Sequence, residues 1–161
     1  MQIIWAIILM LSFFASASAE ENWVQIGGIR FEVEVRGKHP SLQDHQKQLS
    51  FKTTHGIKKY LPLYPDPGAG SPVHLFTSPD KTGVIVIDSN GTWIQIAAAS
   101  GAVMSVEWCW NEAPPNDWVA SFAYIPSQIV YQVNRTHKPS IEDIYKYKDP
   151  DSPVDAIKVT E

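Results

Sequence analysis

Trp108, Trp110 and Trp118 bracket a short stretch that also holds Glu112, Asp117, Asn111, Asn116 and the pair Pro114-Pro115. Tryptophan buries a large apolar area at little entropic cost, and proline stiffens the backbone that carries it. Rigid aromatics beside charged and amide groups suit recognition of another surface, or stacking on sugar rings. Large aromatics on paired strands also serve as ordinary core residues. Both uses are compatible if buried tryptophans anchor a polar loop that makes the contact. Trp110, Asn111, Glu112, Asn116, Asp117 and Trp118 are therefore the candidate partner-binding residues.

Other reactive side chains do not assemble into a catalytic pattern. His39, His45, His55, His74 and His137 are scattered, and no pair has i, i+4 spacing on a convincing helix. Asp44-His45 near His39 is the nearest approach to a metal site, but zinc or copper needs three or four convergent ligands. Cys109 lies between two tryptophans in an apolar run, which predicts a buried and inert thiol. Ala99-Ser100-Gly101 lacks the first glycine of a nucleophile elbow and any following helix. Glu107 and Glu112 flank Trp108 and Trp110, but a glycosidase needs two acids opposed across a cleft. Glu107 has the strand parity opposite to Val106, Trp108 and Trp110, which makes it an outward charge. Asp149-Pro150-Asp151 lacks the glycine and terminal glutamate of a calcium loop. The expectation is no catalytic residue, no metal and no cofactor.

The elements that must position the loop read as β-strands. Ile29, Phe31, Val33 and Val35 alternate with Arg30, Glu32, Glu34 and Arg36, a strand with one buried and one wet face. Trp23 to Ile26 is its partner across the two-residue turn Gly27-Gly28. Residues 37–48 are polar and predict at most one helical turn after Ser41, with Leu42, His45 and Leu49 at helical spacing. Leu49 to Thr53 reads as a short strand. Gly56 to Pro72 carries four prolines and two further glycines and reads as one long irregular loop. Strands follow at Val73–Thr77, Val84–Asp88, Trp93–Ile96, Val103–Trp110, Trp118–Ile125 and Gln128–Val133, with Asn90-Gly91 as the clearest turn. Ser140 to Asp143 resembles a capping box and predicts one short C-terminal helix with Ile141, Ile144 and Tyr145 on its apolar face. Val154 to Val159 could add an edge strand. The spacing predicts one all-β domain, residues 20–161: a sandwich, barrel or curved meander of about seven to nine short antiparallel strands.

Compartment follows from the first residues. An apolar run from Ile3 to Phe14 leads into Ala17-Ser18-Ala19, the pattern of a signal peptide, residues 1–19, cut before Glu20. The run is shorter than the roughly 20 residues that span a bilayer. A single cysteine permits no internal disulfide, which fits a periplasmic or otherwise secreted domain with a sufficient core. The formal charge of −4 and the absence of a basic cluster argue against nucleic acid. These features point to an exported, non-enzymatic binding protein, with an inhibitor or immunity protein against a secreted or envelope-targeted enzyme as the specific expectation. Residues 111–117 would cover the partner's cleft, and residues 61–72 would make a second contact. A carbohydrate-binding module for envelope glycans, with the tryptophans as stacking platforms, is the alternative.

Overall fold

Ten strands in two antiparallel sheets and one helical turn account for the ordered elements of the computed structural model, which describes residues 21–38, 45–64, 70–109 and 112–147. The segment expected to be a signal peptide, the turn expected after Ser41, Asp149-Pro150-Asp151 and the strand expected at 154–159 lie outside these residues. The strands are β1 (Trp23–Ile26), β2 (Ile29–Lys38), β3 (His45–Thr53), β4 (Lys58–Pro62), β5 (Val73–Thr77), β6 (Gly83–Asp88), β7 (Thr92–Ala97), β8 (Val103–Trp108), β9 (Trp118–Ile125) and β10 (Val130–Asn134). The turn α1 spans Ile141–Ile144. The all-β class with a short C-terminal helix is what alternation and capping predict.

β1 to β4 form a four-stranded meander in chain order. The second sheet has the order β10-β9-β5-β6-β7-β8, so the chain leaves edge strand β8 and returns beside β5. Alternation assigns the faces. Phe31, Val33, Leu49, Phe51 and Leu61 of the first sheet meet Val73, Leu75, Val84, Val86, Ile94, Ile96 and Phe122 of the second in one buried cluster. Each large side chain removed from water there stabilises by about 1.5–3 kcal/mol. One edge is closed by β10, where Val133 N–H donates to Glu21 and Arg135 pairs with the Glu21 carboxylate.

The other face of the six-stranded sheet is also covered. Phe76 and Ile87 join Ile144 and Tyr145 in a second cluster, with Ile85, Trp93 and Trp118 packed against it. Burial on both faces explains why β5 and β6 read as nearly continuous apolar runs. The covering turn is held by the expected capping box: Ser140 Oγ accepts from Asp143 N–H, and the Asp143 carboxylate accepts from Ser140 N–H. Ile141, expected on the apolar face, is instead exposed, because a single turn presents only Ile144 and Tyr145 to the sheet.

Two stretches differ from their sequence reading. β3 begins at His45, so the helical spacing of His45 and Leu49 is coincidental to strand parity. Within the stretch read as one long loop, Lys58–Pro62 pairs with β3 as β4, placing Leu49 opposite Leu61. Proline is tolerated there because β4 is an edge strand.

Candidate functional site

The expected recognition loop is the connection from β8 to β9, and topology makes it a strap. It must pass β7, β6 and β5, four inter-strand steps or roughly 19 Å. The ten Cα steps from Trp108 to Trp118 reach at most about 35 Å when fully extended, so chain length alone does not pin the loop and its hydrogen bonds must. Four ties hold it. Cys109 N–H donates to Gly91 O at 3.0 Å, and Thr77 N–H, at the end of β5, donates to Asp117 O at 2.9 Å. Tyr145 Oη donates to Glu112 O at 2.7 Å while accepting from Trp93 Nε1 at 3.2 Å. Lys138 Nζ donates to Asn116 O at 2.8 Å.

The ties engage main chain and leave side chains outward. Glu112, Asn116 and Asp117 are exposed, and Pro114 and Pro115 are half-buried between them. Trp110 and Asn111 lie outside the described residues. Trp118 is half-buried; its ring packs on the Phe76–Ile87–Ile144–Tyr145 cluster and its Nε1 donates to Ser121 Oγ at 3.1 Å. It is an anchor rather than an open stacking face. Cys109 is buried, and burial, then the nearby Glu112 and Glu107 carboxylates, push its thiol up to about 11, as an inert role requires. Glu107 is exposed, as its parity predicts.

Behind Trp118 lies a buried polar chain that sequence reasoning missed. His74 Nδ1 is 2.7 Å from Ser121 Oγ, and His74 Nε2 is 3.3 Å from Ser89 Oγ. Ser89 spends its own proton on Pro72 O at 2.7 Å, so Nε2 carries the imidazole proton and Nδ1 accepts from Ser121. The chain therefore runs from Trp118 through Ser121, His74 and Ser89 to Pro72, every group donating onward. Burial, then the positive charge of Lys47, lowers the His74 pKa to about 4. The ring is neutral at pH 7 and too weak a base to activate Ser121.

A second buried group sits between the sheets. Lys47 of β3 donates from Nζ to Asp88 Oδ1 of β6 at 2.5 Å and to Ser71 Oγ at 2.6 Å. His45, two residues earlier, is 3.0 Å from Tyr131 Oη, which donates to Ser71 O at 3.4 Å. Lys47, Ser71 and Asp88 are all buried, so a substrate has no access to them. The arrangement ties the two sheets together through β3 and β6. It also places Ser71 inside, so this end of the expected second contact, residues 61–72, is interior, as are Leu61 and Leu63.

Among the described residues no three His, Cys, Asp or Glu side chains converge as metal ligands, and no helix is long and apolar enough to cross a membrane. Comparison with known protein families, with curated proteins and with solved structures finds no match to this chain.

Proposed function

We propose that this chain is an exported, non-enzymatic binding protein of the periplasm or secreted fraction, and that its strap blocks the cleft of a secreted or envelope-targeted enzyme. The observation that carries the reading is the division of labour in residues 112–117. Backbone carbonyls of Glu112, Asn116 and Asp117 are tied to Tyr145, Lys138 and Thr77, while the same three side chains face solvent. A loop ordered before encounter loses little conformational entropy on binding, which is the main gain from preorganisation. Glu112 and Asp117 supply charge for a basic partner surface, and rim charges of this kind act chiefly on association rate and salt dependence.

Glycan binding ranks second because three of the four described tryptophans are engaged elsewhere, Trp108 being the exception. Trp118 packs on the second cluster, Trp93 donates to Tyr145, and Trp23 lies under Arg30 at 4.5 Å. The test is affinity capture from envelope and secreted fractions, with Glu112→Ala/Asp117→Ala as control. One stoichiometric enzyme, inhibited on binding and lost with the double variant, is the expected result. Retention on polysaccharide with no protein partner would move the assignment to glycan binding.

A further inference from the structure

Three cations stand abreast on the outward face of the four-stranded sheet. Arg30 of β2 is directly opposite Lys52 of β3, and Lys52 is directly opposite Lys58 of β4. Cross-strand neighbours lie about 5 Å apart at Cβ, and like charges so placed destabilise a sheet. Partial compensation is present at the flanks: Arg30 lies over Trp23, and Lys58 donates to Glu34 at 2.9 Å. Lys52, at the centre, is exposed and makes no hydrogen bond or ion pair among the described residues. The flanking cations thus have partners within the fold and, among the described residues, the central Lys52 does not.

A cleft of about 240 Å³ opens among Arg30, Glu32, Ser50, Lys52 and Lys58. Its floor is Ser50, a small side chain that is 1% exposed between long neighbours. Three cations and one carboxylate line it, and even with Glu34, which takes Lys58 and Ser50 from just outside, the local balance stays positive on a chain whose formal charge is −4. We propose that this cleft binds a tetrahedral oxyanion, a phosphate or sulfate group, with Arg30, Lys52 and Lys58 as its charged donors. Arginine offers a planar fork to two oxygens and lysine a point charge, a common pairing for such groups. The volume exceeds what a bare ion fills and leaves room for the first atoms of an ester. The surface is separate from the strap, which lies on the other sheet.

The test is calorimetry at low ionic strength on protein expressed from the full chain. Inorganic phosphate and sulfate are titrated in one arm; phosphatidylcholine vesicles with and without phosphatidic acid form the other. Saturable one-to-one binding of either probe is expected, weakened at least about tenfold by Lys52→Gln because one charge-assisted contact is lost. The same variant should melt no lower than wild type, since removing the central cation relieves repulsion. Binding of the free ions identifies a soluble ligand, whereas binding of phosphatidic acid vesicles alone identifies a lipid headgroup; both support the site. Failure of every probe to bind, or binding unchanged in both Lys52→Gln and Arg30→Gln, would overturn it.

Discussion

Breaking the Lys47–Asp88 pair from one side should cost far more than deleting it. The Lys47 and Asp88 side chains are 1% and 0% exposed, so their ion pair is shut off from water. Lys47→Met leaves the Asp88 carboxylate buried without its cation, and Asp88→Leu leaves the ammonium with only Ser71. Removing one partner of a buried pair costs about 3–5 kcal/mol, a large share of the roughly 5–15 kcal/mol that stabilises a domain. The combined Lys47→Met/Asp88→Leu variant removes both charges and keeps the volume apolar. Ser71 O retains the hydroxyl of Tyr131 as donor, so that carbonyl is not abandoned. The double variant should lie within about 2 kcal/mol of wild type, giving a coupling energy of several kcal/mol. Urea denaturation of the four proteins measures the cycle. Single variants that each lose less than about 1 kcal/mol, or a double variant whose loss equals the sum of the singles, would refute the reasoning.

Three further outcomes follow from the same geometry. His74, held near pKa 4 when folded and about 6.5 when unfolded, is neutral in the native state while the unfolded chain takes up a proton. Its contribution is complete above pH 6.5 and is lost as pH falls from there to about 4, by roughly 3 kcal/mol; His74→Gln should flatten that slope in pH-dependent urea titrations. Tyr145→Phe keeps the buried ring but removes the hydroxyl shared by Trp93 and Glu112, so denaturation should show a loss of about 1–2 kcal/mol. The Cys109 thiol, pushed up to about 11, should react with a thiol reagent at pH 8 about a hundredfold more slowly than a free cysteine until the protein is denatured.

Legibility in the sequence followed polarity. Strands whose inward residues are apolar, such as Ile29 to Val35 and Val73 to Thr77, could be read because period two and hydrophobicity coincide. β3 has the same parity, with His45, Lys47, Leu49, Phe51 and Thr53 all buried, but its first two inward residues are ionisable. Apolar alternation is therefore legible only from Leu49 to Thr53. The buried lysine makes sense only once Asp88, forty-one residues later, is brought against it, and no local pattern announces that pairing. β4 was hidden by Lys58-Lys59 and Pro62, residues that an edge strand tolerates. The strap was legible from Pro114-Pro115 and its polar neighbours. Its ties were not, because Thr77, Lys138 and Tyr145 reach it from distant elements and bond to main chain. The cation row was likewise invisible: Arg30, Lys52 and Lys58 are unremarkable until register aligns them.

The measurement that bears most directly on the account is native-state amide exchange at Thr77 in the free protein. Its N–H is the donor that fastens Asp117 of the strap to β5. A strap ordered before any partner arrives should protect this amide to the level of interior β5 amides such as Leu75. Exchange at the rate of an open loop, with the rest of β5 protected, would mean that residues 112–117 are not held in place and would contradict a preformed recognition surface.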